Sequence, residues 1–175
     1  MKRNQTFHEK LIPLLVEGIG AERYLEFGTH LGETILKVNA PIRTGVDSKF
    51  APLVRDLLGF AFFKMTTQEF IKNYAAELAP YDFVFIDADH SAKAVEADLC
   101  GIWPHVSNEG LILLHDTNPE SVHDTDPQLC GDAWKFSKVI QTETDYFDNV
   151  KFEAVTLPYH PGLTIIRKRV SWGPK

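Results

Sequence analysis

The chain has 175 residues, 44% of them hydrophobic and 24% charged, and its formal net charge is −6. This length fits one domain over residues 1–175, because two halves would each be too short to bury a sufficient core. The acidic balance argues against nucleic acid as a partner, since phosphate binding needs clustered Lys and Arg, and the basic run at 167–169 is interpreted as a solvated strand end.

Hydrophobic spacing predicts helices and strands that alternate along the chain. Helices are expected at 5–17, 33–38, 51–58, 68–78, 92–106 and 133–143. Strands are expected at 23–27, 42–46, 60–65, 82–86, 110–114, 152–157 and 163–167. Thr67 is expected to cap the helix that starts at residue 68, and Pro13 and Pro104 are expected to kink or shorten their helices.

This alternation predicts an α/β fold with a doubly wound, Rossmann-like sheet over about 23–168. The sheet is expected to be mostly parallel, with the last two strands forming an antiparallel hairpin because the connection at 159–162 is short. Ligands bind such sheets beyond the carboxyl ends of the strands. The loop at 118–132 is long and rich in Pro, Asp and Ser, and we interpret it as a candidate lid.

Cysteine use and the start of the chain indicate a cytoplasmic protein without a membrane partner. Cys100 and Cys130 lie far apart and outside any C-x-x-C pattern, which is typical of free thiols in a reducing compartment. Residues 1–10 are polar and charged, unlike a secretory leader, and no apolar run reaches the length of a membrane span.

Acids and glycines lie at the carboxyl ends of the first two predicted strands. Glu26 precedes Gly28 and Gly32, and glycines at such a turn let backbone amides approach a ligand, while the acid suits a cationic group. Asp47 ends the second strand, where a carboxylate can accept hydrogen bonds from ribose hydroxyls. The alternatives are a turn that only reverses the chain, and a helix cap supplied by Asp47 or Ser48.

Two polar clusters follow the fourth and fifth strands, namely Asp87, Asp89, His90 and Ser91, and then His115, Asp116, Thr117 and Asn118. Carboxylates can hold a hard cation such as Mg²⁺, and a histidine can act as a general base. The alternative is that Asp89 or Ser91 only caps the next helix. Capping alone does not readily explain two polar clusters at the ends of neighbouring strands.

These motifs together resemble those of class I S-adenosylmethionine-dependent methyltransferases. Residues 24–36 look like motif I of that family, and 44–47 are similar to its ribose-binding strand. Residues 82–91 and 110–117 resemble the branch of small cation-dependent O-methyltransferases and their bacterial relatives. The resemblance runs from about 23 to 167.

The resemblance implies roles for individual residues. The residues implied to bind S-adenosylmethionine are Glu26, Gly28, Thr29, His30, Gly32, Asp47, Ser48, Thr67, Gln68 and Asp87. Asp87 and His90 are the implied catalytic residues, with His90 at the position where relatives carry a catalytic lysine. Asp87, Asp116 and Asn118 are implied to hold Mg²⁺ or another divalent cation.

The chain departs from the family pattern at three points. Thr117 separates Asp116 from Asn118, whereas relatives have the asparagine directly after the aspartate. The third strand ends at 65–68 without the usual acidic contact to adenine. The N-terminal elements that enclose a small acceptor in many relatives are missing, so either a second subunit of a homo-oligomer supplies that wall or the acceptor is large.

The functional prediction is therefore methyl transfer from S-adenosylmethionine to a hydroxyl of a small molecule or glycan. Two alternatives stay open from the sequence. One is a regulatory or scaffold domain that binds the cofactor without transferring methyl. The other is a metal-dependent hydrolase that uses Asp87, Asp89, His115 and Asp116, although a hydrolase has no need of the ribose contacts expected from Asp47.

Overall fold

The computed structural model describes residues 6–53, 57–143, 146–147 and 150–169. Seven strands form one sheet: β1 (Arg23–Phe27), β2 (Ile42–Val46), β3 (Phe60–Phe63), β4 (Tyr81–Ile86), β5 (Val106–His115), β6 (Phe152–Leu157) and β7 (Leu163–Lys168). The α-helices are α1 (Phe7–Gly18), α2 (Thr67–Phe70), α3 (Ala76–Leu78), α4 (Ala92–Ile102) and α5 (Ala133–Thr142). A π-helical turn (Ile71–Ala75) joins α2 to α3 without a break.

The strand order in the sheet is β3-β2-β1-β4-β5-β7-β6. Strands β1 to β5 are parallel to their neighbours, while β7 runs antiparallel to both β5 and β6. This confirms the predicted doubly wound sheet with an antiparallel C-terminal hairpin. The strand order reverses between β1 and β4, so their carboxyl ends border the crevice in which such sheets bind ligands.

Alternating side chains of the strands build a core on each face of the sheet. Phe83 and Phe85 of β4 pack on the face covered by α1, whereas Val84 and Ile86 pack on the face covered by α4 and α5. Helices on both faces explain why the parallel strands read as nearly continuous apolar runs in the sequence. Among the described residues, no helix is long and apolar enough to cross a membrane.

The helix predicted at 33–38 is wrong, because the structure has one 3₁₀ turn there, Ile35–Lys37. Ala40 precedes Pro41, and a residue before proline disfavours the helical conformation, so few residues remain after Gly32 to build a helix. The apolar side chains are still buried, with Ile35 and Val38 in the core. The hydrophobic spacing therefore predicted correctly which side chains are buried, but it predicted the wrong backbone conformation.

The helix predicted at 51–58 is not found in the described part of that segment. Residues 51–53 and 57–58 are not helical, and 54–56 lie outside the described residues.

Three smaller predictions also need correction. Thr66, not Thr67, caps α2, and its hydroxyl and the Glu69 side chain form a reciprocal capping box. The helix from residue 92 ends at Ile102 and continues as a 3₁₀ turn, because Pro104 cannot continue the α-helical hydrogen bonds. Lys168 is buried rather than solvated, and its ammonium donates to the Trp103 and Val106 carbonyls at 3.0 and 2.9 Å.

Candidate active site

The turn after β1 touches the turn after β4. Gly28 has φ +83°, and a Cβ at this position would lie 2.0 Å from the carbonyl oxygen of Asp87. Glycine alone lets these two turns approach so closely. The Gly28 amide donates to Val46 O at 2.8 Å, and the Asp87 amide donates to Phe27 O at 2.9 Å. The carboxyl ends of β1, β2 and β4 are therefore tied together at one edge of the sheet.

Glu26 lies beneath this turn and is only 1% exposed. The Tyr24 hydroxyl donates to its Oε2 at 2.5 Å. Burial raises the pKa of the Glu26 carboxyl well above its usual range, and the hydrogen bond from Tyr24 only partly opposes this. A cationic group of a bound ligand would favour ionisation of this buried acid.

Asp47 organises the loops on either side of it. Its Oδ2 accepts from the His30 amide at 2.9 Å, and its Oδ1 accepts from the amides of Lys49 and Phe50 at 2.8 Å each. His30 has φ +47°, a left-handed conformation that is uncommon for a residue with a side chain. Asp47 thus fixes the turn after β1 as well as its own, and Ser48 beside it is exposed.

Two aspartates and two histidines converge at the ends of β4 and β5. His115 Nδ1 lies 3.0 Å from Asp87 Oδ1 and 3.2 Å from Asp116 Oδ2. His90 Nε2 lies 3.3 Å from Asp116 Oδ2 and 3.7 Å from Asp87 Oδ1. Asp116 is buried and has φ +61°, and such backbone outliers cluster at functional sites. The structure therefore brings Asp87, His90 and Asp116 together, as the sequence predicted.

Charge balance in the cluster shifts several pKa values. Burial lowers the pKa of His115, but the carboxylates of Asp87 and Asp116 outweigh burial and raise it to about 10. Burial raises the pKa of Asp87, but His115 and the other imidazoles outweigh this and lower it. Burial and the neighbouring His115 charge lower the pKa of His8, on α1, to about 4. One protonated imidazole thus neutralises part of the negative charge of the two aspartates.

The predicted lid reaches this cluster through its C-terminal end. The Nδ1 of His90 pairs with the Leu129 carbonyl, and the amides of Asp132 and Ala133 donate to the His90 carbonyl at 3.0 and 2.9 Å. Burial, together with nearby Asp116, raises the pKa of the Cys130 thiol to about 12. The end of the loop therefore fixes His90 from one side and lies close to Asp116.

The other predicted site residues have identified surroundings. Thr67 Oγ1 and Gln68 Nε2 both donate to Asp98 Oδ1 of α4, at 2.6 and 2.8 Å. The Asn118 amide donates to Pro161 O at 2.7 Å, which fixes the lid to the turn before β7. Thr29 is buried, and among the described residues its Oγ1 has no hydrogen-bond partner.

His8 and His115 also belong to the cluster; the sequence gives His115 a chemical role only under the hydrolase alternative, and it does not indicate His8. The rings of these residues lie 4.4 Å apart, and α1 brings His8 to the site. One signal existed for His115, because alternation along β5 places it on the same face as Leu113, which packs in the core covered by α1. No local pattern marked His8, whose role depends on how α1 docks.

Comparisons with known proteins agree with this geometry. A family model described as a methyltransferase domain matches residues 25–117. No curated protein sequence matches the chain. The matched segment runs from β1 to the end of β5 and so contains Glu26, Asp47 and the cluster of Asp87, His90 and Asp116.

Solved structures of methyltransferases share the fold. An O-methyltransferase from Bacillus cereus, crystallised with S-adenosylhomocysteine, is 18% identical over 95% of this chain and 83% of its own, with a TM-score of 0.69. TomG from Streptomyces achromogenes, an O-methyltransferase of tomaymycin synthesis crystallised with S-adenosylmethionine, is 15% identical over 96% of this chain and 82% of its own, with a TM-score of 0.67. MycE from the mycinamycin pathway, crystallised with Mg and S-adenosylhomocysteine, is 24% identical over 84% of this chain and 45% of its own, with a TM-score of 0.64.

Proposed function

Because this chain belongs to the methyltransferase domain family, we propose that it transfers the methyl group of S-adenosylmethionine to a hydroxyl group of a small molecule or sugar. The observation that carries the proposal is the orientation of His90. Its Nδ1 pairs with a backbone carbonyl, and its Nε2 faces the buried Asp116 beside the glycine turn of a class I methyltransferase fold. O-methyltransferases of the same fold, crystallised with this cofactor or its demethylated product, support the choice of reaction.

The proposed cofactor site is the crevice between β1 and β4. When bound, S-adenosylmethionine supplies a methyl group on a positively charged sulfur. The proposed contacts are Glu26, Gly28, Thr29, His30, Gly32, Asp47, Ser48, Thr67, Gln68 and Asp87. Glu26 offers a buried acid for a cationic group, and Asp47 retains lone pairs for ribose hydroxyls, because a carboxylate has about four acceptor positions.

His90 is the proposed general base. A neutral imidazole that donates from Nδ1 to a carbonyl carries its free lone pair on Nε2, so this nitrogen can accept the proton of an acceptor hydroxyl. The Leu129 carbonyl holds the ring in that tautomer, and the 129–133 segment holds its backbone. Asp87 and Asp116 stabilise the imidazolium that forms, since their carboxylates lie within 3.7 Å of Nε2.

The same carboxylates fit a divalent cation. Asp87, His90 and Asp116 each offer a ligand atom, and these atoms lie within 4.8 Å of one another. Asp87 and Asp116 are the proposed ligands, with Asn118 as a further oxygen donor. A bound cation lowers the pKa of a hydroxyl that it contacts and so assists His90. The magnesium crystallised with MycE, a methyltransferase of the same fold, supports a divalent cation as a cofactor.

The proposed acceptor is a small molecule or a sugar. MycE was also crystallised with mycinamycin VI, a small-molecule ligand bound together with Mg and S-adenosylhomocysteine. In this chain the 118–132 loop contacts His90 at Nδ1 through the Leu129 carbonyl, which leaves Nε2 directed towards the aspartates of the cluster.

The test separates cofactor binding from methyl transfer. Titration calorimetry with S-adenosylmethionine and S-adenosylhomocysteine is expected to show micromolar binding to wild type and to His90→Ala, and loss of binding in Asp47→Ala. With radiolabelled S-adenosylmethionine and pools of hydroxylated small molecules and sugars, His90→Ala is expected to transfer methyl about 10²–10⁴-fold more slowly. The exposed His123→Ala variant in the lid is the control.

Each outcome addresses a different part of the proposal. Unchanged turnover in His90→Ala would reject His90 as the base. Tight cofactor binding without transfer to any acceptor would favour a domain that binds the cofactor as a regulatory or scaffold subunit. No binding of either ligand would remove the basis for methyl transfer.

A further inference from the structure

The possible metal-ligand atoms at the ends of β4 and β5 include a buried imidazole nitrogen, that of His115. A cation site made only of oxygen ligands has no such nitrogen. His115 Nδ1 lies between the two carboxylates, 3.0 Å from Asp87 Oδ1 and 3.2 Å from Asp116 Oδ2. His115 is the last residue of β5, so the strand fixes its backbone at the site. The imidazole is thus part of the cluster rather than a neighbour of it.

His115 is nine-tenths buried, with 10% of its side chain exposed. Within the described part of the chain, neither of its ring nitrogens has a hydrogen-bond partner of good geometry. Buried polar groups are nearly always satisfied, and an exception calls for an explanation such as an ion that binds there. In the metal-free protein Nδ1 lies at ion-pair distance from both carboxylates, and a cation that it shares with the two aspartates would replace its proton and satisfy this nitrogen.

The two distances from His115 Nδ1 to the carboxylates match those between ligands of one metal ion. Two ligand atoms at about 2.1 Å from a shared ion lie about 3.0 Å apart at a right angle and about 3.4 Å apart at a tetrahedral angle. The contacts of His115 Nδ1 with Asp87 and Asp116, at 3.0 and 3.2 Å, fall in this range. His90 Nε2 is farther from Asp87, at 3.7 Å, and its side chain is more exposed, at 29%.

We propose that Asp87, His115 and Asp116 form a three-ligand site for a first-row transition-metal ion such as Zn²⁺, Mn²⁺ or Co²⁺, in preference to Mg²⁺. Imidazole is a ligand of transition metals, whereas Mg²⁺ takes oxygen ligands. Three protein ligands leave positions for an acceptor oxygen, as in catalytic metal sites. His90 stays outside the ligand set and remains free to accept a proton.

This inference rests on the proposed function in placing the metal at the methyl-transfer site, but metal binding can be measured without turnover. Tag-free protein is stripped with a chelator and titrated with Co²⁺ alone. Wild type is expected to gain visible absorption with one equivalent of Co²⁺. One equivalent of Zn²⁺ should remove this absorption, and a large excess of Mg²⁺ should leave it in place.

Variants of His115 test the nitrogen ligand. His115→Asn keeps a polar side chain of smaller size, and we expect it to weaken Co²⁺ binding by at least about 100-fold, since even changes next to a ligand cost about 10–100-fold. His115→Asp makes the ligand set all-oxygen, so Mg²⁺ should compete with Co²⁺ much more effectively than in wild type. His123→Asn is the matched control and should bind Co²⁺ as wild type does.

A spectrum of the wild type makes the test independent of how well the variants fold. Proton NMR of the Co²⁺-loaded protein is expected to show a strongly shifted, exchangeable N–H signal from one coordinated imidazole. Absence of this signal, easy displacement of Co²⁺ by Mg²⁺, or unchanged binding in a folded His115→Asn would each overturn the inference. Failure of S-adenosylmethionine to bind would instead count against the proposed function, because calorimetry measures that step separately.

Discussion

Replacing Glu26 with glutamine is expected to change how the stability of the metal-free protein depends on pH. Glu26 is buried and its pKa is raised, so the folded protein keeps this proton above pH 4.3, where an unfolded glutamate loses it. The unfolded state then binds fewer protons than the folded state, and the free energy of unfolding falls as pH rises towards the folded-state pKa. Glutamine has the same shape, can accept from the Tyr24 hydroxyl, and does not titrate.

The expected magnitude is about 1.4 kcal/mol for each pH unit between those two pKa values. For a chain of 175 residues this corresponds to about 3–6 °C in Tm per pH unit. The Tm of Glu26→Gln minus that of wild type should therefore increase by this amount for each pH unit above about 5, until the folded-state pKa of Glu26 is reached.

Thermal unfolding followed by circular dichroism, in buffers with a chelator, measures this difference. Glu77→Gln, at an exposed position in α3, makes the same chemical substitution at a carboxyl that is not buried and is the control. A Tm difference that stays constant from pH 5 to pH 7 would refute the argument, because it would mean that Glu26 titrates alike in both states. A difference of the opposite sign would mean that the folded protein favours the ionised carboxylate.

Three further substitutions test individual contacts in the fold, each by chemical denaturation. Gly28→Ala should lower the free energy of unfolding by more than about 1–2 kcal/mol, the cost of the left-handed backbone alone, because the new Cβ meets a backbone oxygen. Gly18→Ala is the control, because a Cβ there meets no described atom within 4 Å, and it should stabilise the protein by about 0.5–1 kcal/mol. Equal effects of the two substitutions would contradict the reasoning. Lys168→Met should cost about 1.5–3 kcal/mol through loss of two hydrogen bonds from a charged group, and a neutral effect would show that they contribute nothing. Thr66→Ala should cost about 0.5–2 kcal/mol by removing the cap of α2, and no loss would reject the capping box.

The fold and the positions of the strand ends could be predicted from the sequence because they depend on local signals. Buried parallel strands read as short apolar runs, and the short connection at 159–162 imposed the antiparallel hairpin that the structure has. The predicted helix at 33–38 failed for a local reason too, since its apolar spacing was real but Pro41 left no room for a helix. Spacing alone reports which side chains are buried, and not which backbone conformation buries them.

The sequence by itself determined that Asp87, His90 and Asp116 meet, because all three follow parallel strands whose ends share one edge of the sheet. It could not determine that His8 joins them, or that the Leu129 carbonyl fixes the His90 ring. These contacts link residues far apart in the chain, and they depend on how α1 and the 118–132 loop pack against the sheet. Tertiary packing decides them because a side chain's neighbours across an interface are set by docking geometry, which leaves no periodic signal in the sequence.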